Sequence, residues 1–325
     1  ESFVEQVLRG VEVAAQECEA CASVRRIRRR VLRDSDTDRP ELREAPFDKA
    51  PALYAYNIPR YYTLIMRARE FARVHNLQLF WTVAKDVPLH RDDRELPEER
   101  LRAKRCKWLE LHDQQTGHIA SQVPLVKGMP VRLTESVDRS RSLFRNRRGT
   151  IVGWAEHGEE ERIDVDGDWL LSKQPRAIYV HFEGCTWKVH EDLEPGVYPF
   201  PPVSRTWEVS RKGKAKVRRT GFFLVPDFAS TAHMIQGQSL DAAFADVVNQ
   251  TMWEPGTDEL LVSAYTMLSR AKYLEKIWVM QAFGKQLFQR GAPFGPRILL
   301  GKLCNRLTQR QALEAFDEAD AQVTT

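Results

Sequence analysis

Two short segments carry the residue types that phosphate chemistry needs. The first is Ser230-Thr231-Ala232-His233-Met234-Ile235-Gln236-Gly237-Gln238-Ser239-Leu240-Asp241. It follows an apolar run closely and packs hydroxyls, an imidazole, amides and a glycine into one strand-to-helix turn. At the carboxyl edge of a parallel sheet such turns offer backbone N–H groups and short polar side chains to a ligand. Gly237 lacks a Cβ, so its backbone could approach a phosphate or a neighbouring loop closely. The second segment, Tyr265-Thr266-Met267-Leu268-Ser269-Arg270-Ala271-Lys272, ends a helical pattern in Ser-Arg. Arginine there can reach a transferred phosphoryl group, because its planar fork stays charged and matches phosphate oxygens. Each segment also has a plainer reading. The first can still be a polar helix cap, and an arginine at a helix end, such as Arg270, is by itself usually a dipole partner or a surface ion pair.

A second set of residues suits a polyanion. Basic side chains bunch at residues 25–30, 102–107, 139–148 and 211–219, interleaved with aromatics. This favours a polyanion partner over four merely solvated faces. Phe144, Trp154, Trp187 and Trp207 can stack on bases or fill a barrel core, and Trp207, beside the last basic run, is the foremost stacking candidate. Arg145, Arg147, Lys212 and Lys214 would track phosphates and make binding salt-dependent. No metal site is expected. Cys18 and Cys21 form a lone CxxC, with Cys18 on the apolar stripe Val4, Val7, Val11, Ala15, Ala22, and read as core thiols.

Some motifs are missing. The G-x-x-x-x-G-K-[ST] loop that cradles phosphates occurs nowhere; the string from Gly295 to Gly301-Lys302-Leu303 has one residue too many and no hydroxyl. Asp317-Glu318-Ala319-Asp320 follows no buried strand and lies in an acidic tail.

The elements that must position these residues fall into five stretches. Residues 1–45 read as a long amphipathic helix to about Leu32, followed by a polar linker. Residues 46–122 alternate: a strand at 53–56, a helix at 61–74, a buried strand at 77–83 and a helix at 97–111 with Pro97 in its first turn. That spacing suggests a parallel α/β sheet. Residues 123–219 show short strand-like runs punctuated by Gly and Pro, as in a small β-barrel or curled sheet. Residues 220–300 return to strand–helix alternation, and 301–325 form a helical tail. The two α/β stretches read as one sheet interrupted by an insertion.

The whole is a 325-residue chain, long enough for two modest domains. It is 42% apolar and 29% charged, with 49 Lys+Arg against 45 Asp+Glu, so the net +4 alone argues nothing about a partner. No apolar run reaches membrane-spanning length, and no membrane partner is expected. An odd count of five cysteines suggests a reducing compartment. The start at Glu1 has no initiator Met and no signal core, so the expectation is a fragment or truncated product.

In their order and content the two chemistry-bearing segments resemble motifs V and VI of superfamily-one helicases, most closely the PIF-type, RecD-related 5′→3′ DNA helicases. There the pattern runs hydroxyl-x-His-Lys-x-Gln-Gly-x-x-Leu, then a strand, then Tyr-Val-Ala-Leu-Ser-Arg. Residues 51–57 with Arg60 resemble motif IV, and Val126-Lys127-Gly128-Met129-Pro130-Val131-Arg132-Leu133 resembles the strand leading into an inserted domain. The resemblance implies an α/β, RecA-like parallel sheet carrying an inserted SH3-like β-barrel. It implies Arg270 as arginine finger and Gln236 and Gly237 lining the nucleotide cleft. Thr231 and His233 would touch the single-strand backbone or couple it to the ATP site. Met234 departs from the pattern, standing where the family usually has Lys. The implied cofactors are ATP and Mg²⁺, the latter held mainly by a missing N-terminal RecA-like domain with the Walker motifs. The implied partner is single-stranded DNA, with RNA open, in the nucleus or mitochondrion. On this reading the chain is the C-terminal half of a helicase motor, inactive alone; the alternative is a degenerate half that only binds nucleic acid.

Overall fold

The computed structural model describes residues 26–27, 29–33, 39–90, 96–158, 161–209, 215–247, 258–284, 293–304, 306–311 and 313–315. The readings made for Cys18, Cys21, Lys212, Lys214, residues 317–320 and most of the first helix lie outside these residues. The chain divides into two compact units. One joins Glu1–Ala55 to Thr231–Thr325, and the other is Tyr56–Ser230.

The first unit is built on a parallel sheet. Its strands Ala52–Tyr54, Ala243–Ala245 and Ile277–Val279 run side by side, with Leu53 opposite Ala245 and Ala245 opposite Val279. These tripeptides are apolar throughout because a parallel sheet is covered on both faces. Alternation sorts them. Leu53, Ala243, Ala245, Ile277 and Val279 share a core with Leu260, Leu261, Ala264, Met267 and Leu268 of the helix Asp258–Leu268. Phe244 and Trp278 face the other way, against Phe47, Ala50, Leu32 and Leu42. The helix presents its apolar residues at three- and four-residue spacing, and Asp258 and Glu259 oppose the dipole at its first turn. It is the crossover that a parallel strand pair requires.

The N-terminal helix expected to reach Leu32 ends earlier. Residues 26–27 are helical, but Val31 is extended and bridges Val279 in parallel, with Leu32 N–H donating to Val279 O at 2.8 Å. Backbone groups on that strand need partners, and an extended segment supplies them where a helix cannot. Arg30, read as part of a basic face, instead lies 3.6 Å over the Trp278 ring and donates through Nε to Ile277 O. Burial lowers its pKa.

The second unit is dominated by antiparallel pairing. Five strands lie in the order Val197–Phe200, Ala177–His181, Arg148–Ala155, Pro130–Leu133, Leu224–Pro226. Val203–Glu208, Lys216–Gly221 and Lys85–Pro88 make a second sheet. The strand read at 77–83 is observed at Phe80–Val83 and keeps different company from that expected. It pairs antiparallel with Gln122–Leu125 and parallel with Asp168–Leu171, not within the Ala52–Tyr54 sheet. The β-rich stretch thus recruits strands from residue 80 onward. Helices are observed at Asn57–Val74 and Glu98–Leu109, the latter with Pro97 at its N-cap.

Candidate functional site

The strand Ala229–Thr231 is buried throughout and delivers the chain, still extended at Thr231, into a single 3-10 turn, Ala232–Ile235. Apolar burial orients this turn. Ala232, Met234 and Ile235 point inward, leaving His233, Gln236 and Gly237 exposed. Gln236 has φ −56° and ψ 130°, Gly237 has φ +79°, and Gln238 N–H donates to Ile235 O at 3.0 Å. This is the signature of a type II β-turn, whose third residue must take positive φ. A Cβ on Gly237 would meet no atom within 4 Å, so within this chain the glycine is demanded by backbone conformation, not by close approach.

Arg270 is brought to this turn by the helix Asp258–Leu268. Ser269 N–H still donates to Tyr265 O, and Arg270 N–H to Met267 O, so the guanidinium emerges from the last turn. Nε donates to Thr266 O at 2.9 Å, Nη2 to Ser269 Oγ at 2.8 Å and Nη1 to Gln238 O at 3.1 Å. In return Leu240 N–H donates to Arg270 O at 2.9 Å, and Leu240 bridges Ala271 in parallel. The two segments read from sequence are therefore tied together by main chain and side chain at once. The helix-end role of Arg270 is present too, in its bond to a last-turn carbonyl. All three partners are neutral, and among the described residues no carboxylate pairs with it. A guanidinium has five N–H donors. Two remain beyond the three bonds given, enough for one anionic group. Burial raises the pKa of Tyr265, and the charge of Arg270 opposes that rise.

Gln238, whose carbonyl receives Arg270, was not singled out from sequence. The sequence held no signal for it, since a main-chain acceptor leaves no mark on residue type and position 238 is unspecified in the motif.

In the second unit Arg145 and Arg147 are exposed, in the loop that leads to the strand Arg148–Ala155. Fully buried Leu143 anchors this loop, while Phe144 beside it is 48% exposed. Arg147 donates to Glu183 O at 3.2 Å. Trp207, the foremost stacking candidate, is corrected by the structure. It is 5% exposed, packed with Leu101, Trp108 and Val217, edge-on to Trp108 at 6.2 Å and 5.6 Å from the Arg219 guanidinium. Its place opposite Val217 puts it on the inner face of the strand pair, so no base can reach its ring. Arg219, in the basic run beside it, is also buried, held by Asp86. Phe144, exposed among arginines, has the surroundings that were assigned to Trp207.

No protein-family model and no curated protein sequence matches this chain. Solved structures do. The Pif1 helicase from Candida albicans aligns at 15% identity with a TM-score of 0.52, covering 92% of this chain and 58% of that one. Bacteroides Pif1 bound to ssDNA aligns at 12% identity and TM-score 0.50, covering 92% and 53%. Pif1 helicase from Bacteroides in complex with ADP-AlF3 and ssDNA aligns at 14% and 0.51, covering 94% and 54%. The chain spans a little over half the length of these proteins. Over most of its own length it has a fold similar to that of Pif1 helicases, mixed α/β with a parallel sheet.

Proposed function

We propose that this chain is the C-terminal motor half of an ATP-dependent DNA helicase, supplying the arginine finger and part of the single-strand track. The observation that carries this reading is the state of Arg270. Its guanidinium is locked to the Gln238 carbonyl, lacks a carboxylate partner among the described residues and keeps two donors for an anion. A planar cation so oriented fits a phosphoryl oxygen better than it fits a structural ion pair. Structures with this fold have been solved with ssDNA and with ADP-AlF3, which supports the same substrate classes here.

The roles follow from position. Arg270 meets charge developing on the transferred phosphoryl group, and exposed Gln236 and Gly237 line the nucleotide cleft beside it. ATP supplies that phosphoryl group as substrate. His233, exposed on the preceding turn, meets the single-strand backbone; Thr231, 3% exposed, holds the turn that presents it. Arg145 and Arg147 add phosphate contacts in the second unit, with Phe144 as stacking face. In this proposal Mg²⁺ and the phosphate loop belong to an N-terminal RecA-like domain of the same protein, and the chain alone neither hydrolyses ATP nor unwinds DNA.

The test is ssDNA-stimulated ATPase activity of the complete protein, wild type against Arg270→Ala. Turnover should fall about a thousandfold or more while ssDNA affinity persists. A mutant as fast as wild type sinks the arginine-finger assignment. One observation favours a second reading, a half that only binds nucleic acid. Met234 takes the usual lysine position and is buried at 8% exposure, so no cation is offered there. An intact protein with salt-dependent ssDNA binding and no turnover establishes that reading instead.

A further inference from the structure

Arg132 stands in the middle of the strand Pro130–Leu133, between Val131 and Leu133, and is 1% exposed. An apolar residue would fill that position without the desolvation cost of burying a cation, and buried ion pairs seldom offset that cost outright. The question is what the charge secures. The register sets Arg132 opposite Val225 on one side and Arg148 on the other, and Asp227 N–H donates to Pro130 O. The guanidinium then reaches past the end of the strand Leu224–Pro226. Nη2 donates to Ala229 O at 2.7 Å, and Nη1 donates to Ser230 Oγ. Asp227 provides the countercharge, its Oδ1 3.5 Å from Nε, while its Oδ2 takes a 2.7 Å ion pair from Arg148. Burial lowers the pKa of Arg132 and Asp227 opposes that shift, as a desolvated cation with an imperfect partner requires.

The two groups Arg132 grips belong to consecutive residues, one a main-chain carbonyl and one a side-chain hydroxyl. Together they fix the position and the roll of the strand Ala229–Thr231, the element from which the His233 turn springs. We infer that Arg132 is a positioning residue for the single-strand contact segment, clamping Ala229 and Ser230 so that the turn carrying His233 is presented in one geometry. The inference rests on the single-strand role proposed above for that segment. It adds a residue from outside both motifs, whose contribution passes through a clamp and not through contact with nucleic acid. A lysine cannot reproduce it, because a single ammonium cannot span both acceptors with a planar fork.

The test compares the 325-residue chain with Arg132→Met, Arg132→Lys and Ser230→Ala by hydrogen exchange across residues 229–235 and by binding to a fluorescent oligo-dT. Ile178→Ala, a core truncation in the strand Ala177–His181, serves as the control for general destabilisation. Loss of a charged hydrogen-bond pair corresponds to about tenfold or more in local opening. Arg132→Met should therefore raise exchange at 229–235 about tenfold and Ser230→Ala a few-fold, with Arg132→Lys restoring only part. Oligo-dT affinity should fall in the same order, and Ile178→Ala should change neither beyond its effect on global stability. Should Arg132→Met fail to fold, Ser230→Ala, which removes one hydroxyl, decides alone. Unchanged exchange in Ser230→Ala overturns the clamp, and raised exchange with undiminished oligo-dT affinity overturns its functional consequence. A wild-type chain that ignores oligo-dT overturns the single-strand reading instead, and the exchange comparison still decides whether Arg132 clamps the strand.

Discussion

Arg219 in the second unit and Arg270 in the first are the same residue put to opposite uses. Arg219 is wholly buried. It donates twice to Asp86, at 2.8 and 2.6 Å, and once each to Ser121 Oγ and Trp108 O. Every lobe of its fork is engaged and its charge is cancelled. Arg270 is half-buried, bonded only to uncharged oxygens, with donors to spare. A buried charge with its partner holds a fold together, whereas an oriented charge without one is a place for a ligand's charge to land. The lesson extends to the aromatics. Trp207 sits beneath Arg219 as filler, and Phe144 stands out among unburied arginines.

The comparison breaks most visibly at the buried pair. Arg219→Ala leaves the Asp86 carboxylate enclosed and unpaired and should cost about 3–5 kcal/mol of unfolding free energy, whereas Arg270→Ala, losing bonds to neutral acceptors near solvent, should cost about 1 kcal/mol. Joint replacement of Arg219 by Met and Asp86 by Leu should recover most of the loss. Chemical denaturation of the three variants checks this, and equal costs for Arg219→Ala and Arg270→Ala would erase the distinction. A smaller effect sharpens the aromatic half of the contrast. Phe144→Ala should weaken ssDNA binding by about 1–3 kcal/mol with little change in stability. Trp207→Phe should leave affinity alone and lower the melting temperature; the reverse pattern in fluorescence titration and thermal melts would return Trp207 to the surface role. The smallest effect concerns the turn that carries Phe144. The Ser140 hydroxyl and the Arg141 guanidinium hold the Asp138 carboxyl down to about 2. A depressed carboxylate contributes stability that is fully present above its unfolded pKa near 4 and is lost as pH falls through about 2. Amide resonances of residues 138–145 should therefore titrate with a midpoint near 2, and a midpoint near 4 would mean the carboxylate is unsupported.

Much of the first unit was legible in the sequence. The helix Asp258–Leu268 shows its apolar spacing, the strand Ala243–Ala245 its apolar run, and the turn at Gly237 its chemistry. These are local signals, in which residue type and near neighbours decide the conformation. The second unit shows where local reading stops. A strand was foreseen near Phe80–Val83, but its period of two cannot say which of several strands it will pair with. The strand Lys85–Pro88 was not foreseen at all; with one buried acid and an exposed lysine it has no apolar alternation to read. The first helix was carried too far for the same reason, since pairing with Val279 lies far along the chain from Val31.

The sequence by itself determined the chemistry on offer. It placed a hydroxyl-, imidazole- and glycine-bearing turn ahead of a helix ending in Ser-Arg, within an α/β chain interrupted by β structure. Tertiary structure alone decided which charges are free. Arg219 meets Asp86 across 133 positions and Arg132 meets Ser230 across 98, whereas Arg270 meets no carboxylate among the described residues. An arginine's letter is the same whether its field ends on a buried carboxylate or on water, and only the folded chain settles which.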